Sequence, residues 1–403
     1  MSAQHTATSA LSVRSAFPSA VLKTEVTGSP FSLPLLYNSG FFTASAGAAM
    51  SRVLIVKLSS MGDLIQALPA LTDATLAMPE VRFDWVVDEA FAEVPSWHPA
   101  VETVIVSAHR RWRRQLFQSM RQGEWRQFFQ QLRTRQYDYV LDAQTSLKSA
   151  LVTRLARGLR VGPDKDSVRE YGAHWAYQQR VSVGQQQLAV NRWRELFSAA
   201  LNYPLPTTAP DFGLSAKEWL QSAHRPAGSY LVMVTNASWP TKCLPPETWR
   251  ALLSRAQAEG LEVLLPWGSE AERQQALTIA DGFSSAHVLP KLGLSEWAGL
   301  LAGSAGALCH DTGLAHIAAA LGVPTLTVYG PTDPALIGAT GPRVAHWRVS
   351  DFSCAPCYRR ECRYQNYRGP QAQCLAAIAA EDLWQALTKL RQEMLQPLPE
   401  QQI

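Results

Sequence analysis

Asp311, Thr312 and Gly313 stand directly before an apolar helical run, Leu314, Ile317, Ala318 and Leu321, and that placement suits anion chemistry. An acidic or hydroxyl residue at this point caps a helix. The unpaired N–H groups of the first turn then attract phosphate, and Gly313 lets a phosphate approach the backbone. A second reactive loop lies early in the chain, Ser59-Ser60-Met61-Gly62-Asp63, with Lys57 just ahead of it. Asp63 beside a glycine can serve as a proton acceptor, and by local rules it can equally be a helix cap. Asp311 and Thr312 carry the same pair of readings.

The elements around these residues belong to an α/β protein. Arg52 to Lys57 reads as an apolar strand, and the loop after it leads into a helix with Leu64, Leu68, Leu71 and Met78 on one face. A buried strand, a small-residue turn and an amphipathic helix make the first βα unit of a parallel sheet. Ligands in such sheets bind at the carboxyl ends of the strands, where Lys57 and Asp63 fall. Around the other loop, Gly322 stops the helix and residues 325–329 form a β-rich run that ends at Gly330-Pro331.

A chain of 403 residues with 47% apolar content suits two domains with separate cores. The Pro-rich stretch 203–211 opens a linker expected over 206–228, dividing a first domain, 50–205, from a second, 229–395. Residues 1–49 are rich in Ser, Ala and Thr, lack any sustained periodicity, and read as a disordered or mis-assigned extension before Met50. They lack the charged start and compact apolar core of a secretory signal. No apolar run approaches the roughly 18 residues needed to span a bilayer, so the chain reads as soluble or peripheral. A formal net charge of +4 gives no case for nucleic acid.

Two further clusters are chemically suggestive. Arg110, Arg111, Arg113 and Arg114 surround Trp112, which makes either a solvated helix face or a site for anions. The aromatics that follow, Phe117, Trp125, Phe128 and Phe129, suit core packing or a lipid-facing edge. Cys354, Cys357, Cys362 and Cys374 lie in a basic, irregular loop, 354–374. Their spacing fits a four-thiolate zinc site, and equally free thiols in a reducing compartment.

The chain resembles the bacterial lipopolysaccharide heptosyltransferases. The resemblance is carried in order by RVLIVKLSSMGD (52–63), LPALTDA (68–74), FDWVVDEAFAEVPSWHPAVE (83–102), RRWRR (110–114), YDYVLDAQTSLKSALVTRLA (137–156), LPWGSEAER (265–273), HDTGLAH (310–316) and YGPTDP (329–334). It covers residues from about 50 to about 345 and is greatest to those members that add the first heptose to the Kdo sugars. It implies a GT-B fold, two Rossmann-like parallel-sheet domains facing across a cleft, with the acceptor on the first and the donor on the second. It implies inverting transfer of heptose from ADP-heptose to Kdo2-lipid A, with no cofactor and no metal. The resemblance further implies a cytoplasmic monomer in peripheral contact with the inner membrane, without a nucleic-acid partner.

Carried over residue by residue, Asp63 matches the base. Ser238, Lys242, Glu272, Leu292, Asp311, Thr312, Gly313 and His316 match donor-binding positions. Within that set Lys242 and Ser238 fall at the diphosphate, Glu272 at the ribose and Asp311 at the heptose hydroxyls. Lys57, Arg110, Arg111, Arg113, Arg114, Lys148 and Arg169 match acceptor-side positions. The pattern departs at TNASWPTKCLPPETW (235–249), where Cys243-Leu244 replaces the family's His-Trp ahead of proline. The Cys-rich segment fits the transferase of the second heptose, or another ADP-sugar core transferase, better. An oxidoreductase is disfavoured because no G-x-G-x-x-G follows the first strand. A non-enzymatic polyanion binder with a zinc module would use the Arg/Trp and Cys clusters but would not need HDTGLAH.

Overall fold

The computed structural model describes residues 51–215, 219, 224–349 and 352–393. The extension at 1–49 and parts of the 206–228 linker lie outside the described residues, as do residues 394 and 395. Two six-stranded parallel sheets dominate the fold. The first is built from β1 (Arg52–Val56), β2 (Arg82–Asp88), β3 (Val101–Ser107), β4 (Tyr139–Asp142), β5 (Leu159–Pro163) and β6 (Gln179–Val181), in the order β3-β2-β1-β4-β5-β6. The second comprises β7 (Tyr230–Val234), β8 (Glu262–Leu265), β9 (Ala286–Val288), β10 (Gly306–His310), β11 (Thr325–Tyr329) and β12 (Val344–Arg348), in the order β12-β11-β10-β7-β8-β9.

Both sheets therefore have the doubly wound order, reversing between β1 and β4 in one and between β7 and β10 in the other. Helices cover both faces of such a sheet, and so its central strands bury every side chain. Every residue of β7, β10 and β11 is buried, as are the last four of β1. At each reversal the two neighbouring chains leave in opposite directions, opening a crevice above the strand ends. The loops singled out in the sequence, after β1 and after β10, leave from these two crevices.

One local expectation is corrected. The helix after β1 is not continuous: it forms Met61–Ile65 and then Leu68–Ala77. Pro69 has no N–H to donate and its ring clashes with the carbonyl four residues back, that of Ile65, so the first helix must end there. The break turns Gln66 and Ala67 into a corner. The helix Gly313–Ala320 forms where expected and closes at Gly322, whose φ of +72° suits glycine.

The two sheets meet along a seam. Gly313 packs on Met61, and a methyl group at Gly313 would lie 2.2 Å from the Met61 Cε. Gly62 packs on His316, with 2.5 Å left between such a methyl and the ring. Farther along, Glu93 accepts hydrogen bonds from the N–H groups of Leu294 and Ser295, capping the helix Leu294–Ala302 from the opposite half. The Trp97 indole N–H donates to the Ser295 hydroxyl.

Candidate active site

The Asp63 carboxylate is set by its own turn and by the neighbouring crevice loop. Its Oδ2 accepts from the Ser60 N–H at 3.0 Å and the Ser60 hydroxyl at 2.8 Å. Asp63 is thus a cap, as the local rules allowed, but only one oxygen is committed. Among the described residues no hydrogen bond reaches Oδ1. The loop beneath is held by Gln144, whose Oε1 accepts from the N–H groups of Leu58 and Ser59. Lys57 is enclosed, 1% exposed, and donates to the Ala143 carbonyl at 3.0 Å while lying 3.8 Å from the centre of the Trp193 ring.

Charge couples these groups. Burial pushes the Lys57 ammonium down to about 8, against the opposing pull of Asp63 and Asp142. Burial would raise the Asp63 carboxyl, but Lys57 and the Ser60 hydrogen bonds outweigh it and hold the group below the usual carboxylate range. Asp63 is accordingly ionised at neutral pH and able to accept a proton on Oδ1.

Lys242, Asp311 and Thr312 meet on the far side of the seam. The Lys242 Nζ contacts Asp311 Oδ2 at 2.5 Å, and the Thr332 hydroxyl donates to the same oxygen at 2.8 Å. The loop bearing Lys242 is anchored by His310, whose Nε2 accepts from the Leu244 N–H at 2.8 Å. Burial pushes His310 down to about 3, so it is the neutral acceptor this bond requires. Leu244 thereby fills a structural place in the segment that departs from the family pattern. The Thr312 hydroxyl oxygen is buried and has no partner, directly at the N-terminus of Gly313–Ala320. An unpaired buried hydroxyl beside open helix amides is suited to an anionic ligand.

The remaining donor-side positions are more dispersed. Ser238 is exposed on the loop, and Leu292 is half-buried. Glu272 closes a capping box, with its Oε2 accepting from the N–H groups of Gly268 and Ser269. His316 is buried in the seam and feels both Asp63 and Asp311.

The acceptor-side arginines divide. Arg110 pairs with Asp88 at 3.4 Å, and Arg111 pairs with Glu89 at 3.1 Å and Glu124 at 2.8 Å. Arg113 and Arg114 are exposed and have no ion pair among the described residues. Trp112 is buried and stacks with Trp125 and Phe128, so those aromatics are core, as is Phe129 beside them. Phe117 differs: it is 84% exposed, next to exposed Leu116 and Met120. Lys148 contacts the His109 Nε2 at 3.1 Å, and Arg169 is exposed nearby, its charge felt by both Lys148 and Lys57.

Sequence reasoning missed Arg192. It lies on the helix Ala189–Leu201 with its guanidinium near enough to Asp63 to feel its charge, its Nε buried without a partner, and its Nη2 donating to the Leu336 carbonyl across the seam. The four clustered cysteines line one cavity of about 260 Å³, together with Thr241 and Pro331 of the donor-side loops. Among the described residues no group of three or more His, Cys, Asp or Glu is arranged to hold a metal ion.

Two doubly wound parallel sheets, with the loops at their reversals meeting along one seam, make an α/β architecture of the GT-B type. The chain belongs to glycosyltransferase family 9 (heptosyltransferase), which residues 125–368 match. Lipopolysaccharide heptosyltransferase 1 of Pseudomonas aeruginosa is 50% identical over 315 residues, 78% of this chain and 88% of that one. The structure of the E. coli heptosyltransferase WaaC with ADP superposes with a TM-score of 0.74 at 40% identity, covering 84% of this chain and 99% of that one. WaaC with ADP-2-deoxy-2-fluoro heptose gives a TM-score of 0.71 at 39% identity and the same coverage. The protein is a glycosyltransferase.

Proposed function

We propose that this enzyme transfers L-glycero-D-manno-heptose from ADP-heptose to the Kdo of Kdo2-lipid A, the first heptose addition of the lipopolysaccharide inner core. The observation that carries the reading is an ionised Asp63 with an uncommitted Oδ1 on the helix start that packs against Gly313, joined through His316 to a Lys242–Asp311–Thr312 group suited to a diphosphate sugar. Similarity to heptosyltransferases 1 over most of the chain supports the same assignment. Residues 50–205 would take the acceptor and 229–395 the donor.

The acceptor hydroxyl attacks the anomeric carbon from the face opposite ADP, and Asp63 takes its proton as the new bond forms. The bond to the diphosphate breaks on the other face, giving inversion. The leaving group gains negative charge, which Lys242 and the amides at Thr312 and Gly313 would meet. Ser238 would add a hydroxyl, Glu272 and Leu292 would hold the nucleoside end, and Asp311 and His316 the heptose. Arg192, its Nε unpaired and its charge felt by Asp63, would add a further cation at the seam.

Arg113 and Arg114, with Lys148 and Arg169, would hold the acceptor's acidic groups. Exposed Leu116, Phe117 and Met120 beside them suit the lipid surface in which such an acceptor resides. No described helix is long and apolar enough to cross a membrane, so that contact would be peripheral.

Turnover of ADP-heptose with Kdo2-lipid A, compared with an already heptosylated acceptor, tests the reading. Product from the unheptosylated acceptor alone is expected. Product only from the heptosylated one would assign the enzyme to the second addition, the reading that the Cys-rich loop favours.

A further inference from the structure

We propose that Gln66 is a positioning residue that holds His316 as its neutral Nε2–H tautomer, making the imidazole a hydrogen-bond donor at the seam and leaving Asp63 as the base. The surroundings of the Gln66 amide fix which of its ends is nitrogen. The atom assigned as Nε2 lies 2.9 Å from the Gly338 carbonyl oxygen and 3.2 Å from that of Ile337. Carbonyl oxygens only accept, so this atom must be the NH₂ nitrogen, and the usual ambiguity of a glutamine side chain is removed. The same nitrogen lies 3.1 Å from the His316 Nδ1.

An NH₂ group has no acceptor to offer. A proton on Nδ1 would therefore oppose an N–H to an N–H at hydrogen-bond distance, whereas a bare Nδ1 accepts from it. Nδ1 is bare and the ring proton sits on Nε2. Three acceptors share two amide hydrogens, which requires one bifurcated bond and leaves neither hydrogen idle. Gln66 is 2% exposed, so water cannot replace these bonds.

The Nε2 edge of the ring packs on Gly62, next in sequence to Asp63. Asp63 and Asp311 would favour a positive ring, while Lys242, His346 and above all burial oppose it. The contact with Gln66 adds to the opposition, because protonating Nδ1 would destroy an accepted bond. A second consequence is mechanical. Gln66 belongs to the corner made by Pro69 in the first half, and all three of its acceptors belong to the second. The tautomer is thus imposed across the seam, by a residue of the first half on a ring of the second.

The functional part of this proposal rests on the heptose-transfer reading, but the tautomer does not, so the two can fail separately. Selective ¹⁵N labelling of the histidines reports which ring nitrogen of His316 carries the proton, with His316→Gln assigning the signal among the nine histidines. The wild-type enzyme should show an unprotonated Nδ1 and a protonated Nε2 throughout the neutral range. Gln66→Leu removes the donor, and Gln66→Glu replaces it with a group that favours a protonated Nδ1. Both should mix or reverse the tautomer and raise the pH at which the ring titrates. The kcat–pH profile should gain an ionisation moving toward the ordinary histidine value of about 6.5, with activity lost as pH falls through it. kcat should drop roughly tenfold or more while ADP affinity changes much less. A wild-type ring protonated on Nδ1 would overturn the proposal without any variant. So would two folded variants that retain the wild-type tautomer and pH profile.

Discussion

At the scale of single residues, Asp63 fulfils its cap reading with one oxygen and has the other available for the base role proposed for it. That division is visible only once the Ser60 contacts are known. Asp63→Ala should lower kcat by roughly 100-fold or more, the effect of losing a general base. ADP-heptose binding measured by calorimetry should stay close to normal, since the donor residues lie across the seam. Turnover near the wild-type level would reduce Asp63 to its cap. Lys57 supplies the pH dependence. Its charge holds the Asp63 carboxyl below its usual range; with the carboxylate as the proposed base, activity should exist above that value and be lost as pH falls through it. In Lys57→Met the acid limb of the kcat profile should therefore move to higher pH. An unmoved acid limb would mean that the limb reports another group.

Elements decide whether these residues meet. The helix starts at Met61 and at Gly313 abut with no room for an extra carbon, which brings the β1 loop of one sheet to the β10 loop of the other. Gly313→Ala should therefore cost about 1–3 kcal/mol through overpacking, lowering the melting temperature by several degrees, and should reduce turnover. A variant with unchanged melting and rate would show that the seam yields easily. The Lys242 loop depends on a second element, the end of β10, through the bond from Leu244 to His310. Lys242→Ala should weaken donor binding and slow turnover together, by about 10- to 100-fold, the range for losing one charge-assisted contact. Unchanged donor affinity there would place another residue against the phosphates.

Over the whole molecule, one short stretch brings exposed charge and exposed apolar side chains together. The free arginines and the exposed Leu116, Phe117 and Met120 share it, in the first half and well removed in sequence from the donor loops. Arg113→Ser with Arg114→Ser should raise the acceptor's apparent KM severalfold and leave donor affinity unchanged. The difference should shrink at high salt, where screening already weakens the wild type. Adding Phe117→Ser should reduce co-sedimentation with anionic vesicles. Acceptor kinetics unaffected by the double substitution would return this cluster to a solvated helix face.

The sequence by itself determined the parallel α/β architecture, because buried strands, glycine stops and helix starts are local patterns written in consecutive residues. It also determined the two crevice loops, Asp63 and Asp311–Gly313, for the same reason. It could not sort the arginines: Arg110 and Arg111 are distinguished from Arg113 and Arg114 by acids at positions 88, 89 and 124, which folding brings to one side of a short helix. Nor could it reveal Gln66, Gln144 or Arg192. Each acts through partners about 80 to 270 residues away, and a contact at that separation leaves no periodicity to read. The chemistry of individual loops is local and therefore legible. Only tertiary structure sets which oxygen of Asp63 is free, which arginines remain unpaired and which nitrogen of His316 holds its proton, because each depends on what the rest of the chain places opposite.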